Sequence, residues 1–388
     1  MAVVSDVGSS GNANDVKTIG DLITQLRHAL AQRRRQDVGS SQPAYTPWLR
    51  QPSSVGCRHD VRQAHYAIRN RRLRCKDRRR NRRARPMIRV RRLTAGLLDA
   101  WLINQQLANG HPRYRLRLWR DAAAALPALR EELRAYIDEA FDDARRRLRT
   151  GFEDALSPFN DPALDPAANF PAALHRITLQ GYFGETLAVL AVEHWGAAEH
   201  NDWQVPAFLF RFHDSEFQHL EEINRRSREG EQHNPDADAE RRPGRSGDDA
   251  LAFRRAQDGR VTDVLTLEAK CLGQNHNDKI QEAHQKLSGA GAIPSGIREL
   301  IELLSDYDSP DALSWQEALV RFRAEGYRMA SRHDGVAYAT GHIPVRGGRQ
   351  AWLPAQPHAA YTANRYLEGL EFQFRDLDGL IDTLYRGA

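Results

Sequence analysis

One stretch of this chain constrains its fold more than any other, because a run of β-forming residues ends there in an acid, a small residue and a lysine. Residues 261–267 are mostly β-branched or apolar, and Glu268, Ala269 and Lys270 follow them directly. Successive side chains of a strand point to opposite faces, so Glu268 and Lys270 emerge on the same face of the sheet. A carboxylate and an ammonium at the end of an apolar strand indicate that each uses the other's charge or that of a metal ion.

A second short strand and a turn precede this run. Residues 250–253 are apolar, and Asp258-Gly259 lies in the stretch of turn-forming residues that follows them. The pattern predicts an antiparallel hairpin, which places Asp249 close to Glu268. Two carboxylates and one lysine then meet at one point. This arrangement predicts a Mg²⁺ site with a nearby group that activates water or neutralises charge.

The tripeptide Gly-Asp-Asp at 247–249, followed by Glu-Ala-Lys at 268–270, resembles the signature of the PD-(D/E)XK nuclease superfamily. The resemblance covers residues 174–290. It implies an α/β fold with a restriction-endonuclease-like αβββαβ core, a mixed central sheet and flanking helices. It also implies hydrolysis of nucleic acid phosphodiester bonds with Mg²⁺ or Mn²⁺, and DNA is the favoured substrate, although the sequence does not separate DNA from RNA.

The resemblance assigns roles to the residues of the predicted hairpin. Asp249 and Glu268 are expected to bind the metal, and Lys270 to position the attacking water or stabilise charge in the transition state. Asp248 competes with Asp249 for the metal role, since no proline directly precedes the acid pair as the family pattern would have it. We favour Asp249 because it shares a strand face with Leu251.

Two helical segments carry further candidates that the resemblance implies. Glu185 lies in an apolar helical stretch at 174–195, where the superfamily often has an additional metal-binding glutamate. A helix beginning at Asp278 is expected to place Gln281 or Gln285 at the site. Simpler explanations remain open: Glu185 as an ordinary polar position of an amphipathic helix, the two glutamines as solvated residues, and the acid and lysine of the strand as a surface ion pair.

Charge is divided unevenly along the chain. Residues 1–92 have 22 lysines and arginines against 6 acidic residues, whereas residues 93–388 have 34 against 45. We therefore expect a basic, largely disordered arm at 1–86. Helical patterns predict a helical N-terminal region at 87–170, and the resemblance implies a nuclease domain with a C-terminal extension at 171–388. The arm either binds nucleic acid nonspecifically or is translated upstream sequence ahead of a native start at Met87.

Hydrophobic periodicity predicts the elements of residues 93–388. Helices are expected at 93–106, 122–149, 174–195, 278–285, 294–304, 315–326 and 377–385. Strands are expected at 204–213, 250–253, 261–267, 335–340 and 366–374. A polar, charged insertion is expected at 227–247, and insertions of that composition are usually mobile.

Composition and absent motifs narrow the function classes. Three cysteines are too few for a disulfide framework and fit a reducing cytoplasm. No run of eighteen apolar residues and no signal-peptide pattern occurs, so we expect neither a membrane span nor secretion. The motifs of P-loop ATPases, of serine hydrolases with a nucleophile elbow and of HExxH metalloproteases are also absent.

The layout resembles the nuclease subunits of bacterial anti-phage defence operons, including the helicase-associated Hachiman type. That resemblance implies a partner helicase or ATPase, and the absence of a P-loop from this chain is compatible with such a partner. The competing interpretation is a catalytically inactive nucleic-acid-binding or assembly subunit that uses a nuclease-like fold as a scaffold. The oligomeric state is left open.

Overall fold

The structure is a computed structural model that describes residues 93–387. Residues 109, 153–164, 166, 292 and 345–347 and most of 211–247 are excepted. The expected basic arm at 1–86 lies outside the described residues, as does all but residues 229, 230 and 236 of the polar insertion at 227–247.

Strands of the described residues form one six-stranded mixed sheet. They are β1 (Leu102–Gln105), β2 (Tyr114–Asp121), β3 (Ala250–Arg255), β4 (Val261–Leu272), β5 (Ser331–Thr340) and β6 (Tyr366–Gln373). Their spatial order is β1-β2-β6-β5-β4-β3. Neighbours from β2 to β4 are parallel, whereas β1 and β3 join the two edges as antiparallel strands. The predicted α/β class with a mixed sheet is therefore confirmed.

Helices flank this sheet. They are α1 (Ala95–Trp101), α2 (Leu126–Ala140), α3 (Asp142–Phe152), α4 (Arg176–Trp195), α5 (Asn277–Gly289), α6 (Ile297–Leu304), α7 (Pro310–Ala324) and α8 (Leu377–Tyr385). Local capping fixes several ends: Ser309 accepts a hydrogen bond from Ala312 N (3.1 Å), and Asp376 accepts one from Gly379 N (2.9 Å). α4 and α8 share a core with one face of the sheet, and α5 shares a core with the other.

The hairpin predicted around Asp258-Gly259 is confirmed. β3 and β4 pair antiparallel with Ala250 opposite Leu267. Gly259 has a φ of 79°, a left-handed conformation that glycine adopts without a Cβ penalty, and its N–H donates to Ala256 O (2.9 Å). This register brings the residue before β3, Asp249, level with Glu268 on β4.

Helix α4 lies directly on β4 because Gly184 has no side chain. A Cβ at Gly184 would come within 2.9 Å of the Cβ of Cys271, closer than two carbon atoms pack. Along β4, Leu267 and Cys271 face this α4 side, so Glu268 and Lys270 face the opposite side, where α5 packs. The two faces of β4 therefore have different roles: one is core, and the other carries the charged pair.

Two predicted helices of residues 93–152 are shorter in the structure. The helix expected over 93–106 ends at Trp101, because the following residues pair as β1 with the end of β2. The helix expected over 122–149 is divided into a short 3-10 turn, α2 and α3. The division falls at Phe141, a fully buried residue whose ring stacks on Phe210 at a centroid distance of 4.6 Å.

Strand β2 was not predicted from the sequence. Its residues alternate arginine with leucine, and Arg115 and Arg117 both donate to the fully buried Glu368 of β6, at 2.9 and 2.8 Å. Local propensity does not reveal this partner, since it lies about 250 positions further along the chain. The region expected to be helical therefore contributes two strands, β1 and β2, to the sheet.

The strand predicted over 204–213 is wrong for its described part, residues 204–210. There the backbone makes a single bridge, Gln204 with Phe253, and no continuous ladder. Pro206 lacks an N–H, and the aromatic residues Phe208 and Phe210 stack together in the core, at a centroid distance of 5.0 Å. Residues 211–213 lie outside the described residues.

Among the described helices, none combines the length and apolarity that crossing a membrane requires.

Candidate active site

The hairpin of β3 and β4 places two carboxylates side by side. Asp249 N donates to Leu267 O (3.2 Å), and Asp249 Oδ2 accepts a hydrogen bond from Ala269 N (2.8 Å). These two bonds clamp Asp249 across the strand end. Glu268 is 1% exposed and lies on the face of β4 against which α5 packs. Asp249 and Glu268 are therefore close together, as the spacing predicts.

Two lysines neutralise this pair. Lys270 Nζ lies 2.7 Å from Glu268 Oε1, and Lys286 Nζ of α5 contacts the other oxygen, Glu268 Oε2. Lys286 Nζ also lies 3.5 Å from Asp249 Oδ1. Asp249, Glu268, Lys270 and Lys286 are named here the carboxylate–lysine cluster. One ammonium of the cluster thus faces both acids at once.

Burial and charge act against each other in the cluster. Burial, and then the charge of Asp249, raise the pKa of Glu268 to about 7, although both lysines oppose this shift. Burial on its own would lower the pKa of Lys270, but the charge of Glu268 and the hydrogen bond to it outweigh burial and raise that pKa. Ionised Glu268 is therefore costly in this place, and an additional cation beside it would favour the ionised form.

Asp248 has a different environment from Asp249. Its Oδ2 accepts hydrogen bonds from Ser295 N (2.6 Å) and Ser295 Oγ (3.0 Å), and Gly296 N lies at 3.4 Å. These contacts connect the start of β3 to the residues that precede α6. The geometry favours Asp249 over Asp248 as the acid of the cluster, and a metal role for Asp248 stays a prediction.

Glu185 lies on the α4 side of the sheet and is 8% exposed. Burial first, and then nearby groups that include Glu185, raise the pKa of the Tyr385 hydroxyl in α8. Glu185 is therefore near α8, and the sheet separates α4 from the helix that carries Lys286. The expectation that Glu185 joins Asp249 and Glu268 at a metal stays a prediction.

The helix predicted from Asp278 forms as α5, and the expectation that Gln281 or Gln285 lies at the site stays a prediction. Gln281 and Gln285 are both exposed. The side chain of α5 that reaches the carboxylates is Lys286, and Glu282, one turn before it, lies 3.7 Å from Lys270 Nζ. Glu282 and Lys286 are four residues apart and therefore lie on one face of α5. This spacing is the signal in the sequence that could have indicated Lys286 as a site residue.

Asp249 and Glu268 have a donor set that fits Mg²⁺ or Mn²⁺. Both carboxylates face one ammonium, so they flank a single position where a cation is favourable. Within the described ranges, no three residues of the types His, Cys, Asp and Glu surround one metal position. Mg²⁺ is often held by one or two carboxylates, with waters and substrate phosphates completing its shell. Two acids are therefore enough for this class of ion.

Comparison of the sequence with protein-family models and with curated proteins finds no match. The chemistry of the carboxylate–lysine cluster therefore carries the functional interpretation. Paired acids with an adjacent ammonium can hold a divalent cation and stabilise negative charge on a phosphoryl group.

Proposed function

We propose that this chain is a divalent-metal-dependent nuclease with a site of the PD-(D/E)XK type. The observation that carries this proposal is the convergence of Asp249 and Glu268 on one ammonium, with Lys270 bonded to the second oxygen of Glu268. Both acids come from one hairpin, so their separation is fixed by backbone pairing. Pre-organised charges of this kind stabilise transition-state charge without reorganisation.

Residues of the cluster have distinct roles in the proposed reaction. Asp249 and Glu268 would hold Mg²⁺ or Mn²⁺, which when bound polarises a phosphoryl oxygen and lowers the pKa of a coordinated water. Lys270, held 2.7 Å from Glu268, orients the attacking water or neutralises the charge that develops on the phosphoryl oxygens. Glu185, Asp248 and Gln285 are retained as proposed auxiliary residues.

The order of elements supports a restriction-endonuclease-like core. α4, β3, β4, α5 and β5 follow one another in the order that the superfamily's αβββαβ unit would require. The segment that includes Gln204 makes one bridge with β3, and no described strand between α4 and β3 corresponds to the first strand of that unit. α6 and α7 are additional helices between α5 and β5.

DNA is the proposed substrate, and bacterial anti-phage defence with a partner helicase or ATPase is the proposed setting. Residues 1–92 have 22 basic residues against 6 acidic ones, and this positive charge supports a phosphate-bearing partner. Each phosphate that a lysine or arginine neutralises releases counterions, so binding to such a partner is sensitive to salt.

A catalytically inactive scaffold is the second candidate, and one observation favours it. Lys270 and Lys286 supply two positive charges against the two carboxylates. A scaffold of this kind would bind DNA in a salt-sensitive, Mg²⁺-independent manner, and the Glu268→Gln protein would keep its function.

Cleavage assays separate the two candidates. Plasmid, linear duplex and single-stranded DNA are incubated with the wild-type and Glu268→Gln proteins, with Mg²⁺, with Mn²⁺ and with chelator. We expect metal-dependent cleavage by the wild-type protein and a loss of about 10³-fold or more in the variant, because the transition state loses a cation-binding charge. Glu282→Gln is the matched control. It removes an exposed carboxylate 3.7 Å from Lys270 Nζ and should change the cleavage rate by less than about threefold. Metal-dependent cleavage that survives Glu268→Gln refutes the assignment.

A further inference from the structure

Lys286 occupies a position from which one cation contacts both acids of the site. Its Nζ contacts Glu268 Oε2 and lies 3.5 Å from Asp249 Oδ1. The two remaining oxygens have other partners: Glu268 Oε1 is bonded to Lys270, and Asp249 Oδ2 accepts from Ala269 N. A divalent cation that coordinates Glu268 Oε2 and Asp249 Oδ1 would therefore take the place of this ammonium.

The two lysines of the cluster differ in their freedom to move. Lys270 belongs to the interior of β4, its side chain is 20% exposed, and its direction is set by the strand. Lys286 approaches from α5, and its side chain is 32% exposed, more than that of Lys270. Lys286 is thus the cation that can leave the acids, whereas Lys270 stays beside Glu268.

Charge balance indicates where the displaced ammonium goes. Two carboxylates balance two ammonium groups, so a divalent ion that enters the cluster leaves it with two excess positive charges. Like charges a few ångströms apart repel strongly in a partly buried site, and a phosphate group placed against them removes the repulsion. The ammonium of Lys286 would then lie beside the ion and face the incoming phosphate.

We propose that Lys286 is a phosphate-binding residue of this site, which rests in the cation's position and moves onto the substrate phosphate when the cation binds. The inference rests on the proposed function, because it takes Asp249 and Glu268 as the metal-binding acids. It assigns Lys286 two effects of opposite sign: Lys286 competes with the metal, and it strengthens binding of the nucleic acid. A lysine with a merely structural role would produce neither effect.

The test measures both effects on the full chain. Mn²⁺ affinity is measured by electron paramagnetic resonance for wild type, Lys286→Met and Lys286→Gln. Affinity for a duplex oligonucleotide is measured in Ca²⁺, which also binds carboxylate oxygens, over a series of salt concentrations. Lys279→Met is the matched control, because Lys279 lies on the same helix and its ammonium pairs with Glu282 at 2.6 Å. Lys286→Gln keeps a hydrogen-bond donor for Glu268 and replaces the methionine variant should that one not fold.

We expect Lys286→Met to bind Mn²⁺ about tenfold more tightly, because the competing charge is removed. Its duplex affinity should fall, and the slope of log K against log salt should become shallower by about 1, the effect of one lost phosphate contact. Lys279→Met should keep its Mn²⁺ affinity within about twofold of wild type. Lys286→Arg keeps the charge and should restore the salt slope.

Each contrary result has a separate meaning. If neither wild type nor Lys286→Met binds Mn²⁺, the proposed function itself fails. If both bind Mn²⁺ with equal affinity, the metal site stands and the resting position assigned to Lys286 is wrong. If Mn²⁺ binding tightens but the duplex affinity and its salt slope stay unchanged, the phosphate-binding role is overturned.

Discussion

At the scale of single residues, the neighbouring aspartates Asp248 and Asp249 have different environments. Asp248 accepts three hydrogen bonds from the residues that lead into α6, whereas Asp249 faces Lys286 and accepts a hydrogen bond from Ala269 N. The contacts of Asp248 stabilise the fold, and we propose that Asp249 binds the cation. Substituting each aspartate in turn therefore separates the structural role of Asp248 from the metal-binding role proposed for Asp249.

Asp248→Ala should lower the free energy of unfolding by about 1–2 kcal/mol, because Ser295 N loses its buried acceptor. Its Mn²⁺ affinity should fall less than that of Asp249→Asn, because Asp249 is the acid that faces Lys286. Asp249→Asn should abolish Mn²⁺ binding with a smaller effect on stability. Denaturant unfolding and Mn²⁺ titration of both proteins check this, and loss of Mn²⁺ binding in the Asp248 variant alone would reverse the assignment.

His284 gives the fold a dependence on pH that is independent of the cluster chemistry. The imidazole is 1% exposed, its Nδ1 donates to Ile280 O (2.7 Å), and its ring lies beside those of His358 and Tyr361. Burial lowers the pKa of His284 to about 4, from an ordinary value of 6.5. Between these pH values the unfolded chain takes up a proton that the native protein does not.

Stability should therefore fall as pH falls from about 6.5 to about 4, by on the order of 2–3 kcal/mol from this residue. His284→Leu removes the titrating group, so its free energy of unfolding should vary less over that range than that of wild type. His276→Asn replaces an exposed histidine directly before α5 and is the matched control. Chemical unfolding at a series of pH values measures the difference, and parallel curves for wild type and His284→Leu would contradict it.

At the scale of elements, local patterns predicted what depends on local chemistry. The β3–β4 hairpin follows from alternation and from a turn that needs glycine at position 259. α5 was predicted as a helix, but the lysine that it presents to the acids was not. Gln285 was expected at the site, whereas Lys286 makes the contact with Glu268. A shift of one position along a helix rotates the side chain by about 100°. β2 could not be predicted because the partner of its arginines, Glu368, is distant in sequence.

The contact between α4 and β4 offers a test with an internal control. Gly184→Ala would place a Cβ 2.9 Å from the Cβ of Cys271, so α4 must shift, and stability should fall by about 1–3 kcal/mol. Gly181→Ala lies on the same helix with open space around the added Cβ, and should raise stability by up to about 1 kcal/mol through helix propensity. Thermal unfolding compares the two, and equal changes would show that α4 does not rest on β4 as described.

At the scale of the whole molecule, residues from both halves of the described chain build one sheet. β1 and β2 lie before residue 122, yet β2 pairs with β6, whose last residue is Gln373. The resemblance to the nuclease superfamily implied an α/β protein with a mixed sheet, but long-range pairing decided which strands join it. The same limit applies to the site: the sequence indicated Asp249, Glu268 and Lys270, whereas Lys286 became visible only once α5 was placed against β4.

The central claim is that Asp249 and Glu268 hold a divalent cation where an ammonium now rests. Anomalous diffraction from crystals soaked in Mn²⁺ tests it most directly. We predict a Mn²⁺ peak about 2.0–2.3 Å from a carboxylate oxygen of each acid, with Lys286 Nζ withdrawn from both. Saturating Mn²⁺ that leaves the position between the two acids without a peak, and the ammonium of Lys286 still in contact with Glu268, would contradict the claim.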